Sequence, residues 1–259
     1  MRVFVDAVAV LAPGLPDWPA ARAVMRGERA WENTPLAPLQ PAHLAAAERR
    51  RSSPTVRLAL CAAEQALAQC RVPPQDMATV FSSHEAAGII THQLCEALAG
   101  DRVVSPTQFH NSVHNAPSGY YSIAMNARRA ANSICRGSWS FAAGLLAAGV
   151  QVASDGVPVL FVCYDSPLPP PLSDSMPVLD ATAIALVLTP AAGPDSLGEW
   201  ELAIDDANAE AAWPAWIPPR WHANASARGF AALATLANSD SPVDSLPLSP
   251  ELSLRVTRC

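Results

Sequence analysis

Lysine is absent from this chain of 259 residues, so its basic residues, 17 in number, are all arginines. A chain without lysine has no Schiff-base chemistry, no lysine general base and no phosphate-loop lysine. Charged residues make up only 15% of the chain and the formal net charge is −6, so there is no basic footprint for nucleic acid. These shortages exclude several classes of enzyme and argue against binding of DNA or RNA.

Signals for export, membrane insertion and metal binding are also missing. The start of the chain carries Asp6 inside a short apolar run and lacks the parts of a secretory signal. No segment approaches the roughly 18 uninterrupted apolar residues that a membrane span requires. The six cysteines are scattered, without C-x-x-C or metal-ligand spacing. We therefore expect a cytoplasmic protein with free thiols, no metal and no cofactor.

Strand and helix patterns alternate along the first 190 residues. Strands are predicted at 2–10, 77–83, 130–136, 157–165 and 181–189, and helices at 19–30, 41–71, 84–99, 117–129 and 140–154. The stretch DRVVSPTQFHNSVHNAPSG, from Asp101, is predicted as a loop. The unbroken apolar run VPVLFVCYD is typical of a parallel strand covered on both faces. The alternation predicts a layered α/β fold.

The composition changes after residue 190. This tail holds four tryptophans and several prolines, with a helix predicted at 226–237 and a last strand at LSLRVTR. We expect residues 191–259 to form a C-terminal cap on a single domain that spans residues 1–259. Its tryptophans are expected in the core or an interface, because the basic groove of a base-stacking platform is missing.

One turn has the form that α/β enzymes use to display a nucleophile. Residues 134–149, ICRGSWSFAAGLLAAG, predict the end of a strand, a tight turn at Gly137 and an apolar helix. Cys135 precedes the turn, and the pattern predicts that it is a buried strand residue. Ser138 or Ser140 would be a nucleophile only with an activating base, and the flanks do not match the G-x-S-x-G elbow.

Two histidines and three arginines are further candidates. His110 and His114 are four residues apart, but no acidic residue lies between them and the stretch is predicted as a loop. A structural role is therefore favoured over metal binding. Arg49 to Arg51 begin the strongest helical pattern and are typical of a solvated helix face.

Four segments follow one another along the chain: ERRRSSPTVRLALCAAEQAL, MATVFSSHE, FHNSVHNAPSGYYSIAMNA and ANSICRGSWSFAAGLLAAGVQVASDGVPVLFVCYD. In this order they resemble the N-terminal half of β-ketoacyl synthases, the condensing enzymes with the thiolase fold. The HN-x-VHNA-P-x-GYYSI stretch is the most specific part. The chain is most similar to the truncated, chain-length-factor-like proteins of aryl polyene pathways. The resemblance covers about residues 1–190 and implies a thiolase-like layered fold, mainly the N-terminal half of a ketosynthase with a short C-terminal cap.

The resemblance also implies that the chain is not a condensing enzyme by itself. In active members a cysteine stands at the strand-to-helix turn, where the helix N-terminus lowers the thiol pKa and backbone N–H groups stabilise the oxyanion. Alignment from Ser133 places that position at Ser138, and alignment back from Gly156 places it at Trp139. Two more catalytic groups, usually histidines, come from a second half that is largely missing here, where His222 is the sole histidine of the tail.

An inactive subunit of this kind is expected to pair with a complete ketosynthase and to shape its acyl tunnel. Thiolase-fold proteins pair through a strand that continues the sheet across a two-fold axis, here residues 130–136. The implied interface residues are Asn111, Asn115, Asn132, Ser133, Ile134 and Cys135. The implied pocket or tunnel residues are Trp139, Phe141, His110 and His114. Trp139 and Phe141 would fill the subunit's own pocket or close the bottom of the partner's tunnel.

Two other functions remain open at this point. In the first, Ser138 or Ser140 is an acyl nucleophile with His110 or His114 as its base, which gives a thioesterase or an acyltransferase. In the second, the chain binds an acidic acyl carrier protein through Arg49 to Arg51.

Overall fold

An eight-stranded mixed sheet forms the centre of the computed structural model, which describes residues 1–85, 87–206, 213–238 and 243–259. The strands are β1 (Arg2–Leu11), β2 (Ala78–Ser83), β3 (Ala131–Cys135), β4 (Val159–Asp165), β5 (Thr182–Thr189), β6 (Gly198–Asp205), β7 (Val243–Pro247) and β8 (Ser253–Arg258). Their order across the sheet is β3-β2-β4-β5-β1-β6-β8-β7. The strands β3, β2 and β4 are parallel and the remaining pairs are antiparallel. The carboxyl ends of these three parallel strands therefore lie next to one another.

Helices cover both faces of the sheet. They are α1 (Trp18–Met25), α2 (Ala46–Arg51), α3 (Pro54–Leu67), α4 (Gly88–Ala99), α5 (Pro106–Asn111), α6 (Ala116–Ala124), α7 (Ser140–Asp155), α8 (Leu172–Ser175) and α9 (Gly229–Ala237). One apolar cluster joins α1, α7 and α9 to one face, and a second joins α3 and α6 to the other. β4 and β5 are buried along their whole length, because both of their faces are covered.

The helix predicted over 41–71 is interrupted in the structure. Ser52 and Ser53 are extended, with ψ angles of 144° and 161°, and they separate α2 from α3. Pro54 disfavours a helical conformation at the residue before it, and the Ser53 hydroxyl accepts the Val56 N–H as a helix cap. The prediction of one continuous helix was wrong because the apolar stripe was given more weight than this serine-proline start signal.

The same signal begins a helix that was predicted as a loop. Ser105 accepts the Gln108 N–H, and Pro106 occupies the first turn of α5. His110 and Asn111 therefore lie on a short helix, while His114 and Asn115 lie in the connection before α6. The loop prediction was wrong for 106–111 because the capping serine and the proline at the first helical position were read as loop formers.

The tail extends the sheet more than predicted. β8 and α9 lie where a strand and a helix were expected, but β6 and β7 are additional strands. In β6, Trp200 and Leu202 are buried while Glu201 between them is exposed, which is the alternation of a half-buried strand. The Trp200 indole donates to Thr235 Oγ1 at 2.9 Å, which fastens α9 over this part of the sheet.

None of the helices among the described residues is both long enough and apolar enough to cross a membrane. All six cysteines are free thiols. Across the ranges that the structure describes, no group of three or more metal-ligating side chains is present.

Close packing of α7 on the sheet predicts opposite effects for two glycine substitutions. A Cβ at Gly144 would lie 2.5 Å from Phe161 Cε2 and 2.9 Å from Ser82 Cβ, whereas a Cβ at Gly119 in α6 meets no atom within 4 Å. Gly144→Ala should therefore destabilise the protein by about 1–3 kcal/mol through overpacking. Gly119→Ala, the matched helix substitution, should stabilise it by about 0.5–1 kcal/mol. Chemical unfolding measures both, and equal midpoints would contradict the packing assigned to α7.

Candidate functional site

The turn between β3 and α7 lies next to the carboxyl ends of the parallel strands. Gly137 has a φ of +58°, a left-handed conformation that glycine adopts without strain. The Trp139 N–H donates to the Arg136 carbonyl oxygen at 3.2 Å, and α7 begins at Ser140. The sequence pattern located this turn correctly, because the glycine and the apolar run after it are local signals.

The hydroxyl of Ser140 is committed to the backbone of the turn. It accepts the Arg136 N–H at 2.8 Å and donates to the Gly137 carbonyl oxygen at 2.7 Å. The Ser140 side chain is fully buried, and its carbonyl oxygen accepts the hydroxyl of Ser82 at 2.6 Å. This hydroxyl closes the turn and is not presented to a substrate.

Ser138 and Trp139 form the outer part of the turn. Ser138 is exposed, while Trp139 is half-buried. The Arg136 guanidinium carbon lies 5.6 Å from the centre of the Trp139 ring, which is within cation–π distance. The turn therefore presents one exposed hydroxyl and one indole that is partly covered by an arginine.

Phe141 points in the opposite direction, into the core of its own subunit. It is completely buried and packs edge-on against Phe161, with ring centres 5.3 Å apart. A Cβ at Gly229 would lie 2.2 Å from Phe141 Cε2, so the ring rests directly on the backbone where α9 begins. Of the two places expected for Phe141, this is the subunit's own interior.

Cys135 lies at the end of β3, next to His84, which follows β2. The thiol donates to the His84 carbonyl oxygen at 3.1 Å, and it is exposed. The prediction of a buried Cys135 was wrong, because β3 is the outermost of the described strands and pairs with β2 on one side only. The His84 ring lies against Gly137 and shares its Nδ1 hydrogen with the Ala223 carbonyl oxygen at 2.9 Å. Since a carbonyl oxygen only accepts, Nδ1 carries the proton.

A buried carboxylate connects this region to the C-terminal cap. Asp165 ends β4 and accepts the His84 N–H at 2.9 Å, the Ser226 N–H at 2.7 Å and the Ser226 hydroxyl at 2.6 Å. Burial raises the pKa of Asp165, and these three hydrogen bonds oppose that shift. Asn224 adds a bond from its amide nitrogen to Thr182 Oγ1 at 2.7 Å. The segment around Ser226 is thereby fixed over the ends of the parallel strands.

The expected interface strand is the free edge of the sheet. Ser133 and Ile134 are half-buried, Asn132 and Cys135 are exposed, and β3 pairs only with β2 within the described chain. The Ser133 hydroxyl lies 3.1 Å from that of Ser118 on α6. Asn132 makes a long contact of 3.4 Å to Gln151 on α7.

The four residues expected from the HN-x-VHNA stretch are spread over α5 and the following connection. Asn111 is buried and donates to the carbonyl oxygens of Arg51 and Thr107, at 3.1 and 2.8 Å. The His110 ring lies edge-on to Tyr120, with ring centres 6.1 Å apart. His114 is half-buried, and Asn115 is exposed at the start of α6, where its side chain makes no capping bond. No contact brings any of the four to the turn at Gly137.

Three residues that support the turn were not predicted from the sequence. His84 lies against Gly137, and Asp165 binds both His84 and Ser226. Asp165 and Ser226 are 61 residues apart, and only the folded sheet brings them together. No local signal in the sequence indicates that His84, which follows β2, lies against Gly137. The available signal for Asp165 was a single carboxylate at the end of a fully apolar strand.

Comparisons with known proteins agree with this architecture. Residues 21–239 match the family model described as β-ketoacyl synthase, N-terminal domain. One similar structure is a ketosynthase (ApeO) in complex with its chain length factor (ApeC) from Xenorhabdus doucetiae. The match covers 100% of this chain and 100% of the matched chain, with a TM-score of 0.76 and 20% identity. The ishigamide ketosynthase/chain length factor covers 100% of this chain and 99% of its own, with a TM-score of 0.73 and 11% identity.

A third structure is a type II polyketide synthase acyl carrier protein in complex with its ketosynthase bound to the hexaketide. It is similar over 99% of this chain and 98% of its own, with a TM-score of 0.77 and 12% identity. A search of curated proteins gave no match. The fold is thus the mixed α/β, thiolase-like fold of ketosynthases, and the likeness extends over the tail that the sequence resemblance had left out. The chain belongs to the β-ketoacyl synthase N-terminal domain family.

The hydrogen bonds of Asp165 predict a large effect of a small change. Asp165→Asn keeps the size but leaves an amide group opposite an N–H or hydroxyl donor, so we expect a loss of about 2–4 kcal/mol in unfolding free energy. Asp174→Asn, on the exposed helix α8, is the control and should change it by less than about 0.5 kcal/mol. Denaturant unfolding followed by tryptophan fluorescence gives both values. Equal losses in the two variants would mean that the carboxylate does not fasten the cap.

Proposed function

We propose that this chain is a non-catalytic, chain-length-factor-like partner of a complete β-ketoacyl synthase and that it shapes the acyl tunnel of that enzyme. The observation that carries the proposal is the turn at 136–140. Where the resemblance implies a catalytic cysteine, Ser138 and Trp139 stand instead, and the one hydroxyl inside the turn, that of Ser140, is bonded to backbone atoms.

The surroundings of the turn support a non-catalytic role. His84 is the histidine that touches it, and its Nδ1 proton is shared with the backbone of the cap. Asp165 is bonded to Ser226 and to the His84 backbone, so it does not orient an imidazole ring as the acid of a triad does. The exposed hydroxyl of Ser138 has no base among these bonds. The geometry therefore gives no support to a thioesterase or an acyltransferase.

The free edge of β3 supports pairing with another subunit. Thr79 of β2 lies opposite Ala131 and donates to the Ala130 carbonyl oxygen, so the N–H groups of Asn132 and Ile134 point toward β2. By alternation, the N–H of Ser133 points away from the sheet. An edge with free donors is a template for a strand of a second chain.

An exposed apolar side chain lies near this edge. Ile123, on the helix α6 that packs beneath β3, is 77% exposed. Its side chain adds apolar area to the proposed contact surface. The partner that we propose for this surface is the complete ketosynthase, in a heterodimer or a larger complex.

The finer parts of the proposal rest on the sequence resemblance. They are the aryl polyene setting, the length-limiting role of the tunnel residues and the recruitment of an acyl carrier protein. Arg49 to Arg51 lie on α2, a helix without buried residues, and we propose this helix as the surface that an acidic carrier protein would meet.

A proline in the edge strand tests the pairing. Ser133→Pro removes the outward N–H but leaves the bonds to β2, so recovery of the co-expressed ketosynthase from the neighbouring gene should fall by about tenfold or more. Ser133→Ala is the matched control, because it loses the contact to Ser118 and keeps the N–H. Co-purification with the synthase and with the carrier protein is the measurement, and unfolding midpoints check both variants. Full recovery with Ser133→Pro would rule out pairing through β3.

Substitution of the indole at the turn tests the tunnel role. Trp139→Ala removes a wall at the proposed base of the tunnel, and the co-expressed complex should release longer chains. Because Trp139 is only half-buried, the fold should be retained. Trp139→Phe keeps an aromatic wall and should preserve the product distribution. Mass spectrometry of the products decides the matter, and identical distributions in all three proteins would contradict the role given to Trp139.

A further inference from the structure

A shallow groove lies along α7, between this helix and the part of the chain formed by β6 and the β7–β8 turn. It has a volume of about 360 Å³, and we call it the α7 groove. Ala143, Leu146 and Ala147 form one wall, while Ile204 from β6 and Leu252 from the turn between β7 and β8 form the other. Ile204 is 55% exposed and Leu252 is 38% exposed. Within the described residues, the groove is therefore an apolar surface that is left uncovered.

The shape of the groove comes from small residues facing large ones. Ala143 and Ala147 are one helical turn apart, so their methyl groups lie side by side and leave a hollow below the branched side chains opposite. The opposite wall is held in place by its own turn, since Leu248 donates to the Leu252 carbonyl oxygen at 2.9 Å. The Ser249 hydroxyl accepts the N–H groups of Glu251 and Leu252, so it offers little to a ligand.

One positive charge lies at the end of this apolar surface. Among the described residues that line the groove, Arg136 is the one that carries a charge, and it is exposed. Its guanidinium lies beside the Trp139 ring, and in the described part of the chain no carboxylate lies within 4.0 Å of it. A guanidinium with five donors and no anionic partner is suited to bind a carboxylate.

We propose that the α7 groove binds a small amphipathic anion, namely a medium-chain fatty carboxylate. The carboxylate pairs with Arg136 and the alkyl chain lies along Ala143 and Ala147, under Ile204 and Leu252. The size favours a small ligand, because 360 Å³ is within the range of small-molecule sites, whereas a protein partner needs about 800 Å² on each side. This inference is separate from the pairing through β3 and does not depend on it.

Calorimetric titration of the full chain with decanoate, below the concentration at which it forms micelles, tests the site. Wild type should bind saturably, and decanol, which lacks the charge, should bind about tenfold more weakly. Arg136→Gln should weaken decanoate binding by about tenfold, while Arg22→Gln, an exposed arginine on α1, should leave it unchanged. Ala147→Phe fills the hollow and should abolish binding. Ala143→Leu, a smaller change in the same wall, serves if Ala147→Phe does not fold by circular dichroism.

Several results would overturn the inference. They are the absence of saturable binding to wild type, unchanged binding in Ala147→Phe or Ala143→Leu, and equal affinity for decanoate and decanol. Sedimentation of wild type covers another occupant: a dimer that Ala147→Phe dissociates and decanoate does not would show that the groove receives a second copy of this chain. Loss of ketosynthase pairing in Ser133→Pro, in contrast, has no bearing on decanoate binding, so the two proposals fail separately.

Discussion

The carboxylate of Asp165 connects the parallel strands of the sheet to the C-terminal cap. It stands at the end of a strand that is buried on both faces, where an unpaired charge would cost several kcal/mol, so the fold must supply donors. It finds one in the loop after β2 and two in the C-terminal cap, at Ser226. This buried group thus helps to fix the position of the C-terminal cap over the sheet.

The position of the cap bears on the non-catalytic role that we propose. Residues Ala223 to Ser226 lie over the ends of the parallel strands, and the backbone at Gly229 presses on the Phe141 ring. The space next to the turn is therefore occupied by hydrogen bonds between protein atoms and by an aromatic core, which supports the proposal. What remains outside is an exposed serine, a partly covered indole and the edge of β3.

The sequence predicted those features that depend on neighbours along the chain. The left-handed glycine, the apolar run of α7 and the buried pattern of β4 are local, and the structure has them where they were expected. The exposure of Cys135 was not predictable in this way, because it depends on β3 being the last strand of the sheet. The contact between Asp165 and Ser226 depends on the path of the whole tail. The helix starts at Ser53 and Ser105 are a different case. A serine before a proline is a local signal for a helix start, and it could have been recognised in the sequence.

The two sides of α7 are covered unequally. Its inner side, with Phe141 and Leu145, packs on the sheet and on α9, and Trp221 completes that layer with its indole donating to Asp180. On the other side of α7, the strands β6, β8 and β7 continue the sheet, and the described residues leave the α7 groove uncovered. This side of the helix carries Ala143 and Ala147, whose small side chains limit the apolar area exposed to water. The groove lies between these alanines and the larger side chains of Ile204 and Leu252. The proposed ligand site therefore lies where small side chains of α7 face the larger side chains of β6 and of the β7–β8 turn.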